Sequence, residues 1–335
     1  MKILVAPLNW GLGHASRCVP LVHRFLAEGH EVILGGDGES LTLLRKHFPK
    51  LRYVYLAPLN LRYSKGKRQV VAMLRAIPQL IGWAIKDHAI LKSVLREEHI
   101  DQILSDNRFG LYVNRRSQTE PPVETVYITH QLHIMLPKGW KWLEPLAARL
   151  HARIYTRYNK VWVPDFADPV ANLSGELGHP VSLFPSSLSK IEYIGPLSRL
   201  TPTDKIADYE VVAVLSGLEP QRTLFEKELL ARYQDTAQSV LIVQGLINRP
   251  NTRIKRGKIT IVPHVDDAEL TAALIGAKHI IARSGYSTIM DLNALGLLSP
   301  KAHNKHPLVE LIPTPGQPEQ EYLATRFSEK NAEKC

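Results

Sequence analysis

The chain opens with Lys2-Ile3-Leu4-Val5-Ala6-Pro7, continues through Leu8-Asn9-Trp10-Gly11-Leu12-Gly13, and then places apolar residues at Val19, Leu21, Val22, Phe25 and Leu26. The first segment is apolar without polar alternation, as in a parallel strand covered on both faces. The second is a glycine-containing loop. The third has helical spacing over 14–28 and ends at Gly29, a usual helix terminator. Residues 30–34 predict the next strand, stopped by Gly35-Gly36. Further strands are expected at 52–56, 101–104, 123–128 and 160–163, with helical stretches at 69–97 and 140–158. A last strand at 191–194 precedes a polar segment, 198–208, that reads as a linker. The pattern then restarts, with strands at 211–215, 240–243, 259–262, 279–282 and 308–312. Helices fall between them at 220–233, 266–274, 286–295 and 318–327. Two rounds of strand and helix across a hinge predict two Rossmann-like, doubly wound α/β domains, 1–197 and 198–335, facing a cleft. Ligands of such sheets sit beyond the carboxyl ends of the strands.

The composition fits this reading. Of 335 residues, 44% are hydrophobic and 22% charged, which excludes a disordered chain. Cys18 and Cys335 are too few for a disulfide framework, so reduced thiols and a cytoplasmic setting are expected. The N-terminal apolar run is broken too early for a secretion signal. The best membrane-span candidate, 70–85, is interrupted by Arg75 and Pro78. The net charge of +10 is unevenly spread: residues 1–160 carry 24 Lys and Arg against 12 Asp and Glu. The basic half suits an anionic partner. Nucleic acid, a phosphorylated lipid and an anionic membrane surface share that property, and an ordinary soluble basic surface competes with all three.

Two loops concentrate chemistry. In Gly11-Leu12-Gly13-His14-Ala15-Ser16-Arg17, glycines let backbone amides approach a ligand, and the following helix N-terminus favours negative charge. His14 is placed to act as a general base; a helix cap is the competing reading. The same loop has two of the three glycines of a dinucleotide fingerprint, with Asp37 near the position of a ribose-binding acid. In the second half, Arg283-Ser284-Gly285-Tyr286-Ser287-Thr288 joins a strand to a helix. Ser284, Gly285, Ser287 and Thr288 would offer amides and hydroxyls to a diphosphate without a metal. Asp291, one turn on, could take two ribose hydroxyls.

Neighbouring loops add candidates. Arg222 would bring positive charge to the diphosphate, or form a solvated helix face. The backbone of Val265 could read a base edge beside His264, and Asp266 has the character of a helix cap. Gln320 and Glu321 could hold sugar hydroxyls. The chain has no Asp-x-Asp, Cys-x-x-Cys, His-Glu-x-x-His or Gly-x-Ser-x-Gly, so no metal or cofactor is expected. His130 and His133 lack a further ligand and read as cleft or surface residues.

The pairing of the Gly11–Arg17 loop with the Arg283–Thr288 turn resembles the GT-B glycosyltransferases, and more closely their family 28 group, which includes the UDP-N-acetylglucosamine transferase of peptidoglycan lipid synthesis. The resemblance implies an inverting, metal-independent transfer from a UDP-sugar held by the C-terminal domain. It implies His14 near the reaction centre and Gly11 and Gly13 in the N-terminal loop. Ser284, Gly285 and Thr288 match the diphosphate turn, Asp291 stands where the family has Glu on the ribose, and Val265 matches the uracil edge. Gln320 matches the first Gln of a sugar-contacting pair, whereas Glu321 replaces the second. The acceptor is expected to be a glycan or a lipid-linked molecule, not nucleic acid. The N-terminal loop also resembles that of UDP-sugar hydrolases, where the His would activate water. A non-catalytic nucleotide-sugar-binding protein is the third reading. Residues 138–160 carry six basic side chains against Glu144, interleaved with Trp140, Trp142, Leu146 and Leu150. This predicts one basic amphipathic helix for peripheral contact with the inner face of a membrane, against the plainer reading of a core helix with a solvated basic face.

Overall fold

The structure, a computed structural model, describes residues 1–59, 69–113, 122–180, 189–298 and 307–332. The chain divides into two compact units, the main change-over falling between Leu197 and Ser198 and Gly11–Gly13 grouping with the second. Each is built on a sheet with helices on it.

In the first unit, β1 (Lys2–Pro7) is followed by α1 (Gly13–Ala27), β2 (Glu31–Gly36), α2 (Gly38–His47) and β3 (Tyr53–Tyr55). The long α3 (Gln69–Glu97) leads to β4 (Gln102–Asp106) and β5 (Glu124–Ile128). A 3-10 turn (Lys138–Leu143) and α4 (Glu144–Tyr155) precede β6 (Lys160–Val163) and β7 (Ile191–Tyr193). The strand order is β3-β2-β1-β4-β5-β6-β7, and every pairing is parallel. Ile3, Leu4, Val5 and Ala6 are fully buried, which is why β1 reads as an unbroken apolar run. The order reverses between β1 and β4, so their carboxyl ends, Pro7 and Asp106, pair at the switch point of the sheet.

The second unit holds β8 (Val211–Val214), α5 (Gln221–Tyr233), β9 (Val240–Val243), β10 (Ile254–Arg256), β11 (Ile259–Val262), α6 (Asp267–Gly276), β12 (His279–Arg283), α7 (Tyr286–Ala294), β13 (Leu308–Ile312) and α8 (Pro318–Ala332). Its order is β10-β11-β9-β8-β12-β13. Only β10 runs antiparallel among the described pairings. Val212, Leu241, Val262 and Ile280 face one apolar cluster, and Val211, Val240, Ile242 and Ile281 face the other. Both faces are therefore covered, and the switch point lies between β8 and β12.

Three local expectations are corrected. Gly35-Gly36 does not stop β2, which runs through both residues. A Cβ on Gly35 would lie 3.1–3.2 Å from Leu4, Ala6 and Leu56 side-chain carbons, so the glycine admits its neighbours rather than turning the chain. The expected single helix at 140–158 is split into the 3-10 turn and α4. Pro145 has no N–H to give and is accommodated in the first turn of a helix that restarts at Glu144. Asp37 is not available to a ribose: Arg108 Nη1 donates to it at 2.8 Å and Asn9 Nδ2 at 3.1 Å. Arg108 is itself fully buried, donating also to Asp87 and to the carbonyl of Ala57.

His151 sits buried on α4 with Nδ1 unpaired and Tyr127 Oη 3.4 Å from Nε2. Burial pushes its imidazole down to about 4. The unfolded chain binds a proton at His151 below about pH 6.5 and the folded chain does not, so stability falls as pH drops from 6.5 towards 4. The expected loss is on the order of 3 kcal/mol. Urea titrations of wild type and His151→Phe over that range should show the dependence shrink in the variant; equal slopes would remove His151 as its source.

Candidate active site

The first unit assembles a buried polar cluster at the β1/β4 switch point. Gly11 has φ +77°, a left-handed conformation that favours glycine, and it turns the chain from β1 into α1. α1 begins at Gly13, and this places His14 in its first turn. Asp106 ends β4. His14 Nδ1 lies 2.8 Å from Asp106 Oδ1. Arg17, three residues after His14, donates from Nε to Asp106 Oδ2 at 2.5 Å and from Nη2 to Oδ1. Arg17 Nη2 also lies 3.0 Å from His14 Nδ1. With its proton on Nδ1, His14 donates to the carboxylate and Nε2 keeps a lone pair. Arg17 Nη1 is 3.0 Å from His130 Nδ1. Burial alone would push the Asp106 carboxyl up; Arg17 and His14 outweigh it and hold the carboxyl well below the usual carboxylate range. Cys18, buried and unpaired by disulfide, points Sγ at Asp106 Oδ2 from 3.8 Å, while Cys335 lies outside the described residues.

The sequence reading nominated His14 but neither Asp106 nor Arg17 as its partners. The available signal was positional: an acid at the carboxyl end of a strand, after an apolar run. His130 and His133 do not form a metal site. His130 belongs to the Arg17 cluster, and His133 Nε2 lies 3.4 Å from Glu144. Among the described residues no group of three His, Cys, Asp or Glu is arranged to hold a metal.

In the second unit, the turn after β12 brings Ser284, Gly285, Ser287 and Thr288 to the start of α7. Gly285 is its N-cap, no side chain caps it, and no acid occupies its first turn. The N-terminal amides thus keep their positive dipole end. Val265 is buried in the core beside α6, and Asp266 caps that helix by accepting from Glu269 N at 2.8 Å. Asp291 accepts from Ser198 Oγ at 2.6 Å, and burial pushes its carboxyl up to about 6.

Further nominated side chains are committed elsewhere. Arg222 is not a free cation for a phosphate. It is buried and its charge is balanced by Glu219 at 2.5 Å and Glu226 at 3.0 Å. Ser284 is fully buried and gives its hydroxyl to the Gln320 carbonyl at 2.8 Å. The Gln320 amide accepts from Thr314 N at 2.8 Å and donates to Gln317 at 2.6 Å, so it shapes the loop entering α8. Glu321, beside it, is exposed. Arg283, passed over in the sequence, is buried with its guanidinium 4.0 Å from the Phe225 ring centre. It donates to the Pro313 carbonyl at 2.9 Å, and its Nε has no hydrogen-bond partner.

The chain matches no family model. It is 23% identical over 314 residues to an uncharacterized glycosyltransferase of Methanosarcina acetivorans, covering 89% of this chain and 78% of that protein. The glycosyltransferase of kitacinnamycin aligns over 97% of this chain and 84% of its own, with a TM-score of 0.58 and 15% identity. Spinosyn rhamnosyltransferase SpnG, solved with thymidine diphosphate, aligns over 99% and 85%, with a TM-score of 0.57 and 14% identity. The fold, two parallel-sheet α/β units, is that of the GT-B glycosyltransferases.

Proposed function

We propose that the chain is a nucleotide-sugar-dependent glycosyltransferase that uses a UDP-sugar and inverts the anomeric centre. The observation that carries this reading is the His14–Asp106 pair. Its Nε2 lone pair can take the proton of an acceptor hydroxyl while that oxygen attacks the anomeric carbon. The bond from that carbon to the diphosphate breaks on the opposite face, and UDP leaves with the electron pair. Asp106 stabilises the imidazolium that results, as a buried acid does for an imidazole base. The uncapped amides of α7 suit the diphosphate, with Ser287, Thr288 and Gly285 around it. Asp291 and Val265 are assigned to the nucleoside and Glu321 to the sugar. The relative named above as solved with thymidine diphosphate supports a pyrimidine nucleoside diphosphate as ligand.

Calorimetry with UDP and with TDP in excess chelator tests the donor side. Binding of UDP is expected to persist, because amides and side chains hold the diphosphate. Loss on chelation would point to a metal-held diphosphate, and no binding of either nucleotide would end the reading. UDP release with and without added acceptor separates transfer from hydrolysis.

For the acceptor side we propose a lipid-linked or envelope glycan met at an anionic membrane surface. On the 3-10 turn and α4, Trp142 (74% exposed), Leu146 and Leu150 form an exposed stripe at four-residue spacing. Lys138, Lys141, Arg149 and Arg153 are exposed around it. Ile77, Ile81 and Ile85 form a second exposed stripe on α3. Exposed apolar side chains rimmed by Lys and Arg suit shallow insertion among anionic headgroups. No helix among the described residues is long and apolar enough to cross a membrane. Sedimentation with anionic and neutral vesicles at low and moderate salt is expected to show salt-weakened binding to the anionic ones. Binding to neither would favour a soluble acceptor.

A further inference from the structure

We propose that Arg17 is a positioning residue of the base: it grips both oxygens of Asp106 and holds the His14–Asp106 pair with Nδ1–H on the carboxylate and Nε2 open. The inference rests on His14 being the base, and it assigns a role to a side chain that does not itself meet substrate.

The geometry is specific. Arg17 is buried and spans three residues from three parts of the unit. Its Nε and Nη2 take the two oxygens of Asp106 from β4. Its Nη2 lies against His14, one turn earlier on α1, and its Nη1 against His130, just beyond β5. A guanidinium only donates. The Nη1 contact with His130 Nδ1 is satisfied when that nitrogen accepts. The remaining titratable groups facing Asp106 are Cys18 on α1 and Tyr127 on β5, and burial pushes both up, so they stay neutral. Asp106 and Arg17 carry opposite charges at the centre of the cluster and balance one another.

Removing Arg17 breaks that balance. A fully buried carboxylate without a counter-charge attracts a proton to the nearest group that can bind one, which is His14 2.8 Å away. The base would then be occupied at neutral pH and freed only at higher pH. The sign follows: loss of Arg17 moves the acid limb of the pH–rate profile upward. A nearby charge typically shifts such a group by about 1–3 pH units.

The test uses the full chain as wild type, Arg17→Gln and Arg17→Lys. Nitrogen-15 NMR of the histidines reads the tautomer and titration of His14 without any substrate. UDP release from UDP-glucose gives kcat/KM against pH. We expect a neutral Nδ1–H tautomer in wild type and an imidazolium at pH 7 in Arg17→Gln. The acid limb of Arg17→Gln should lie about 1–3 units higher, with activity recovering towards wild type above it. Arg17→Lys restores the charge but not the two-oxygen grip, so its limb should lie between. It carries the test alone if Arg17→Gln does not fold. An unchanged His14 titration, or activity lowered equally at every pH, would overturn the proposal and make Arg17 a packing residue. If instead His14→Ala keeps wild-type turnover, the base reading fails while the NMR result still judges the effect of Arg17 on His14.

Discussion

Replacing His14 with alanine is expected to lower turnover by roughly 10²- to 10⁴-fold, the usual range for a lost general base. UDP binding should change little, because the proposed diphosphate contacts belong to the second unit and His14 to the first. The informative measurement is therefore a pair: steady-state kcat, and calorimetry with UDP. A large fall in kcat with preserved affinity places His14 at the proton-transfer step. Turnover within a few-fold of wild type would return His14 to the role of an ordinary residue in the first turn of α1. Equal loss of affinity and rate would indicate a damaged fold, which urea titration separates.

Asp106→Asn should be about as costly, for a different reason. The side chain keeps its size but offers one acceptor and one donor. Arg17 holds both oxygens of the native carboxylate and would claim the remaining oxygen. The amide would then face His14 Nδ1, which must accept, driving the imidazole proton to Nε2. A base with its proton on the reacting nitrogen cannot take another. The expected loss is again roughly 10²- to 10⁴-fold, in line with tautomer inversion in other imidazole–carboxylate pairs. There is a second consequence. Arg17 would remain buried without a counter-charge, and breaking such a pair costs about 3–5 kcal/mol. A fall in the urea midpoint together with a changed His14 tautomer is the expected result. Native-like turnover would show that Asp106 neither orients nor supports the imidazole.

Why were some of these residues legible in the sequence and others not? Strands β1, β6, β9 and β11 were read to the residue or nearly so, because a strand covered on both faces has no polar alternation to confuse it. Strand β10 was missed because Ile254, Lys255 and Arg256 are all exposed and carry no burial pattern. Helix α2 escapes the sequence reading, although Leu41 and Leu44 are buried at helical spacing and Arg45, Lys46 and His47 fill its last turn. Gly35-Gly36 reads as a stop, whereas the requirement is room beside Leu4 and Leu56. At the site, His14 announced itself through its glycine loop. Asp106 could not, since it lies 92 residues away and only the strand order brings it near. The Arg283–Thr288 turn reads correctly as a strand-to-helix junction. Its side-chain partners do not, because Glu219 and Glu226 neutralise Arg222 through contacts that spacing alone leaves undecided.

The outer strands of the two sheets bear on how the protein behaves when concentrated. A sheet border is a row of open amides and carbonyls, and a long one invites another chain to add itself. Here β3, β7 and β10, three of the four border strands, are three residues long. Each therefore offers too few open groups to recruit a neighbour in register. On β10 the exposed Lys255 and Arg256 add charge repulsion to any second copy arriving edge to edge. Only β13, with five residues, is longer, and its Glu310 is tied to Arg232. Resistance to fibril-like growth is thus carried by how briefly each sheet continues at its margin.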